Sequence, residues 1–222
     1  MPWLDSLQRL VGRSAPVNET RWVVLDVETS GLDIHRDRLL AVAAIAVRVD
    51  WPTKILKVDL GDSFEVVLQQ DEVSSKDNIL LHGIGVQQQR DGMAPALALQ
   101  AFTDFIGDSP LLAFHAAFDQ AMMDRFAHKH RGRRLVNRWV DIDHLCAVTF
   151  DAVPARALDD WMSYFGISCA VRHQAAADTM AECELLQRIW PKVAVSCSNW
   201  SDVQKLAAQH RWMVRADRHT RL

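Results

Sequence analysis

The feature that most constrains this chain is a change of hydrophobic period near residue 90. Before it come apolar runs rich in β-branched residues, Trp22 to Val27 and Leu39 to Val49, with Ser30-Gly31 as the turn between them. A third strand is expected in Ile55 to Leu60 or Phe64 to Leu68, with Gly61-Asp62 as a turn between those runs. Together they predict an antiparallel meander. After residue 90, helical spacing governs Pro95 to Ile106, Phe118 to Phe126, Leu158 to Phe165 and Ala175 to Ile189, the last ending at Pro191. Short strands are expected at Leu111 to Phe114 and Val136 to Val140. Strands first and alternating β and α later define an α/β fold, a mixed sheet flanked by helices.

Three units are expected: an extension over 1–20, a main domain over 21–191 and a helical tail over 192–222. The extension carries apolar residues at helical spacing over 3–11, then breaks at Ser14 to Asn18. The tail is expected to hold one helix from Ser201-Asp202, with loose last residues around Arg215, Arg218 and Arg221. The first residues lack the continuous apolar run of a signal peptide, and no stretch approaches a membrane span, so a cytoplasmic location is expected. Four cysteines without CxxC spacing read as reduced thiols, and Cys169, His173 and Cys183 do not match the usual zinc spacings. With a net charge of −3, any polyanion partner must be met by a local basic surface or by bound cations.

Acidic residues carry the chemistry. Asp26 and Glu28 are two apart at a strand end, so both project from one face. Alone, such a pair reads sooner as a solvated edge than as a site. Asp119 opens a helix, where the dipole favours an acid whatever its function. His173-Gln174-Ala175-Ala176-Ala177-Asp178 places Asp178 in a helix and His173 just before it, and the small residues allow close approach to a strand or ligand.

Taken in order, these segments resemble the three motifs of the DEDDh exonucleases, a family that includes the proofreading subunit of bacterial DNA polymerase III, ribonuclease T and oligoribonuclease. Asp26-Val27-Glu28-Thr29-Ser30-Gly31-Leu32 is similar to the first motif, and Phe114-His115-Ala116-Ala117-Phe118-Asp119 to the second. His173 to Asp178 fits the third, His-x-Ala-x-x-Asp. His82-Gly83-Ile84 and Leu158 to Ile167 resemble intervening landmarks. Phe114-His115 stands where family members usually carry His-Asn. The resemblance spans roughly residues 21 to 190, and three motifs in order carry far more weight than one.

The resemblance implies a ribonuclease H-like fold with a five-stranded sheet and a 3′→5′ exonuclease releasing nucleoside 5′-monophosphates from single-stranded ends. DNA is favoured over RNA, and a DNA polymerase or repair protein is an expected partner. It implies that Asp26, Glu28, Asp119 and Asp178 bind two divalent cations, with His173 as general base. Like charges about 4 Å apart repel by roughly 4 kcal/mol at an effective dielectric of 20, so converging acids need cations, and oxygen-only ligands suit Mg²⁺ or Mn²⁺. Thr29 and Leu32 are implied contacts to the terminal nucleotide. Arg131, Arg133 and Arg134, in a basic run from Arg125 to Arg138 without acids, are candidate phosphate contacts. An RNA-trimming enzyme and a non-catalytic nucleic-acid-binding or polymerase-associated module remain alternatives.

Overall fold

In the computed structural model, residues 17–212 are described. The helix expected over 3–11 and the arginines at 215, 218 and 221 lie outside them. Five strands form one mixed sheet: β1 (Arg21–Thr29), β2 (Leu39–Asp50), β3 (Ile55–Val67), β4 (Leu111–Ala113) and β5 (Trp139–Asp141). Their spatial order is β3-β2-β1-β4-β5. The first three pair antiparallel, while β4 runs parallel to β1 and β5 parallel to β4.

The third strand differs from expectation. Ile55 to Val67 is continuous, and Gly61-Asp62 is no turn between two strands. Ile45 pairs with Ser63 and the next residue, Ala46, with Asp59, so Leu60, Gly61 and Asp62 are extruded as a bulge. Asp62 then takes Arg21 Nε at 2.7 Å and Arg48 Nη2 at 2.6 Å. Those ion pairs reward the extruded conformation.

Helices cover both faces. Short α1 (Lys76–His82) and α2 (Val86–Asp91) flank Ile84, which packs on Leu40 and Ala41, while on one face α3 (Pro95–Ile106) and α4 (Ala117–Arg131) pack Phe102, Ile106, Met122 and Met123 against Val23, Leu25 and Val27. On the other, α5 (Ile142–Thr149), α6 (Leu158–Phe165), α7 (Ala175–Ser196) and α8 (Trp200–Ala208) pack against Trp22 and Val24. The alternation of β1 thus feeds two cores. Asp26 and Glu28 continue the parity of Trp22 and Val24, toward α7.

Helix α7 runs on through Pro191 to Ser196. An internal proline forfeits one backbone hydrogen bond and costs about 3 kcal/mol. Burial of Ile189, Trp190, Val193 and Ala194 on both sides of it holds the helix together. The boundary expected at residue 191 therefore falls inside a helix, and α8 buries Trp200 and Val203 in the same core. Helices α1, α2 and α5, six to eight residues each, fall outside the segments expected to be helical.

Candidate active site

Strands β1 and β4 are parallel, so their C-terminal ends open at the same edge, and a cleft of about 690 Å³ lies there. Its lining includes Asp26, Glu28, Thr29 and Leu32 from β1 and its turn, Asp119 from α4, and His173 and Asp178 at the start of α7. One carboxylate oxygen each from Asp26, Glu28 and Asp178 lies within 4.8 Å of the others. Asp119 lines the same cleft outside that tight group.

Local chemistry explains each placement. Gly31 closes the turn after β1, where any Cβ would meet the Asp37 carboxylate at 2.5 Å. Thr29 donates its hydroxyl to the Gly31 carbonyl at 2.7 Å, pinning the same turn. Leu32, just beyond, is 87% exposed at the cleft rim, where an apolar side chain gains nothing from the free protein. His173 has φ 64°, a left-handed conformation, and its N–H donates to Asp178 Oδ2 at 2.9 Å. That bond ties the residue just before the α7 N-cap to the first turn of the helix and fixes the carboxylate. Thr179 reaches the Ala43 carbonyl at 3.4 Å, holding α7 close over the small residues of β2.

Crowding of acids dominates the electrostatics. Burial, then the charges of Asp119, Glu28 and Asp178, push Asp26 well above the usual carboxylate range. Burial lifts Asp119 to about 8, against the opposing pull of N–H groups including that of Val27. Burial also raises Glu28, although contact with the His82 ring works the other way. Reciprocally, Glu28 raises His82 above the ordinary imidazole value. Helix α1 delivers this histidine and also Asn78, whose amide donates to the Thr29 carbonyl at 2.8 Å.

Two further groups complete the site. Arg172 pairs with Asp178 through Nη1 and with Asp159 through Nε at 2.6 Å, lending the acids one positive charge. Glu182, one helical turn beyond Asp178, is fully buried and accepts the Phe114 N–H at 3.1 Å. Burial first, then Asp26 and Asp119, drive its carboxyl well upward. Spacing alone could have flagged Glu182, since i and i+4 share a helix face. His82 lay in a recognised landmark without a role, and nothing local marks Arg172.

The departure at Phe114-His115 is structurally accommodated. Phe114 is buried, His115 is exposed at φ 59°, and its N–H donates to Asp141 Oδ1 at 3.1 Å. Arg131, Arg133 and Arg134 are exposed at and just beyond the end of α4 and do not line the cleft. Arg131 contacts the Gln100 amide on α3 instead.

Oxygen donors converging from two elements fit a hard divalent cation. Glu28 Oε1 is buried without a hydrogen-bond partner, an orphaned acceptor facing that demand. All four cysteines are free thiols, and Cys183 is buried in the core away from His173.

A mixed β3-β2-β1-β4-β5 sheet with carboxylates at the shared end of its central strands defines a ribonuclease H-like architecture. The model of the family described as "Exonuclease" matches residues 23–186. The chain belongs to this exonuclease family, of the DEDDh 3′→5′ type that its motifs resemble. Among curated relatives, the PolC-type DNA polymerase III of Streptococcus pyogenes serotype M2 (strain MGAS10270) is 26% identical over 170 residues. That match covers 77% of this chain and only 11% of the polymerase. Among solved structures, the zinc-bound form of the Escherichia coli exonuclease I–single-stranded DNA complex superposes with TM-score 0.64 at 17% identity. It covers 81% of this chain and 43% of that one. The same enzyme with a dT13 oligonucleotide gives TM-score 0.62 at 18% identity, covering 77% and 41%. At such identities the likeness is one of fold. No helix among the described residues is long and apolar enough to cross a membrane.

Proposed function

We propose that this chain is a divalent-metal-dependent 3′→5′ exonuclease that hydrolyses single-stranded ends, DNA in preference to RNA, as a proofreading or repair nuclease. The observation that carries the reading is the convergence of Asp26, Glu28 and Asp178 within 4.8 Å, beside a buried Glu28 oxygen without a partner. Asp26, Glu28 and Asp178 would hold Mg²⁺ or Mn²⁺, with Asp119 in support. Two such cations, when bound, lower the pKa of water and stabilise the attacking and leaving oxygens of an in-line displacement.

The chain's own groups perform the remainder. His173, exposed at the cleft, takes the proton of the attacking water. Its main chain is tied to Asp178, so base and ligand keep one geometry. Thr29 presents the turn backbone, and Leu32 packs against the terminal nucleotide. The 3′-oxygen of the penultimate nucleotide leaves, and a nucleoside 5′-monophosphate is released.

Support for the substrate comes from exonuclease I, whose solved complexes hold single-stranded DNA. Support for work beside a polymerase comes from the PolC-type relative, of which this chain spans about a tenth. The test is incubation of purified protein with 5′-labelled single-stranded DNA or RNA and Mn²⁺. A ladder shortening from the 3′ end and abolished by EDTA is expected, faster on DNA. Undiminished cleavage after chelation would refute the metal assignment. His173→Ala should lower turnover by roughly 10²–10⁴-fold while calorimetry still detects Mn²⁺ binding.

A further inference from the structure

A second concavity, of about 390 Å³, lies on the far side of the turn that follows β1. Gly31 and Leu32 of that turn line the acidic cleft, whereas Arg36 and Arg38 line the second groove. Helix α4 is shared in the same way. Its first turn presents Asp119 to the cleft, and its last turns present Arg125, Phe126 and Lys129 to the groove. One loop and one helix therefore connect the two sites.

The groove differs from the rest of this acidic chain. Four permanent cations, Arg36, Arg38, Arg125 and Lys129, line it against two acids, Asp37 and Asp71. The Asp37 carboxylate is committed to its own loop, accepting from Ser30 Oγ at 2.9 Å and the Asp33 N–H at 2.8 Å. Arg125 is anchored on the Asp37 carbonyl. Arg36 and Arg38 lie 3.8 and 3.9 Å from Asp33 and Glu72, long exposed contacts that leave both guanidinium groups available. Lys129 is exposed. Between them Phe126 is half-buried, with the His130 ring edge-on at 5.0 Å. Cations tracking a backbone, with an aromatic ring between them, form the general pattern of a single-strand binding groove.

We infer that this groove, bounded by the 33–38 loop and the C-terminal half of α4, holds the phosphodiester backbone upstream of the 3′ end, with Phe126 meeting a base. The inference rests on the nuclease reading for the direction of the strand. Lys129 is ten residues beyond Asp119, about 15 Å along a helix rising 1.5 Å per residue. At a stacked rise of ~3.4 Å per nucleotide, contact reaches about four nucleotides from the scissile bond. The recognised chemistry is the phosphodiester common to DNA and RNA. Arg125 and Lys129 of the basic run meet it, whereas Arg131, Arg133 and Arg134 do not line the groove.

The test compares substrate lengths. The double variant Arg36→Glu/Lys129→Glu changes only exposed side chains outside the acidic cleft. Two probes are used with Mn²⁺: single-stranded oligonucleotides of about fifteen nucleotides, as DNA and as RNA, and the p-nitrophenyl ester of thymidine 5′-monophosphate. Expected is a rise in KM of roughly tenfold on both long polymers, with kcat/KM on the small ester unchanged. Fluorescence anisotropy with the long strands should give a salt slope shallower by about 1.4, the loss of two phosphate contacts. Unchanged KM and slope would overturn the inference, as would an equal loss on the ester. Should the wild type cleave neither probe, the nuclease reading falls, and anisotropy still decides whether the groove binds the strand.

Discussion

Helix α7 carries two opposite solutions to burial. Its N-terminal turns bring Asp178 and Glu182 into a crowd of carboxylates, with Arg172 as the adjacent positive charge. Its C-terminal half brings Trp190 into a cluster of four tryptophans. There the Trp22 ring lies 4.9 Å from Trp200, 5.6 Å from Trp190 and 5.8 Å from Trp51. Aromatic pairs at such offsets and angles add to the gain from burial, whereas the acids at the other end oppose folding until charge is supplied. Twenty-two residues, about 33 Å of helix, separate the ends. A rigid element well anchored at one end can hold an unfavourable arrangement at the other.

The largest departure from this division should come from Asp26→Asn. Activity should fall roughly a thousandfold or more, because the carboxylate central to the acidic group is gone. Thermal stability of the cation-free protein should rise, since a buried acid among like charges has been neutralised. Loss of stability in a melting experiment would show that Asp26 is held by something other than mutual repulsion with its neighbours.

Trp200→Ala addresses the other end. Removing a fully buried indole costs about 3–5 kcal/mol, a fall in melting temperature of about 10 °C for a chain of this size. Turnover at 20 °C should stay within about twofold of the parent. A matching loss of turnover would mean that the two ends of α7 are not independent.

The smallest effect is one of pH. Asp119 titrates at about 8 when folded and near 3.9 when unfolded, so between those values the folded chain holds the extra proton. Its contribution is complete below pH about 4 and is lost as pH rises toward 8. Asp26 and Glu182 shift in the same direction. Cation-free protein should melt at a lower temperature at pH 8 than at pH 5. Saturating Mn²⁺ at pH 8 should recover most of that difference, and a calorimetric scan in EDTA and in Mn²⁺ reads both.

Much of this was legible in the chain because it depended on period and spacing. Pro95 to Ile106 has the expected bounds, and the two-residue spacing of Asp26 and Glu28 turns both toward α7. What escaped depended on partners distant in sequence. Proline 191 reads locally as a stop, and only the core on both sides of it carries the helix through. Gly61-Asp62 reads locally as a turn, and only Arg21 and Arg48 make it a bulge. His82 and Arg172 reach the acids from segments whose placement no periodicity encodes. The basic run from Arg125 to Arg138 reads as one patch, yet the helix divides it between a groove and open surface.

The extruded tripeptide on β3 has a consequence for the molecule in company. β3 is the outermost strand of the sheet and thirteen residues long, with a row of main-chain groups that another polypeptide could copy. A two-against-five mismatch midway, clamped by a pair of guanidinium groups, breaks that template into two short, misaligned stretches. Lys57 and Glu65 add charge along the same margin. Two such molecules meeting along this border could not zip their ladders together, which favours separate particles in a crowded solution.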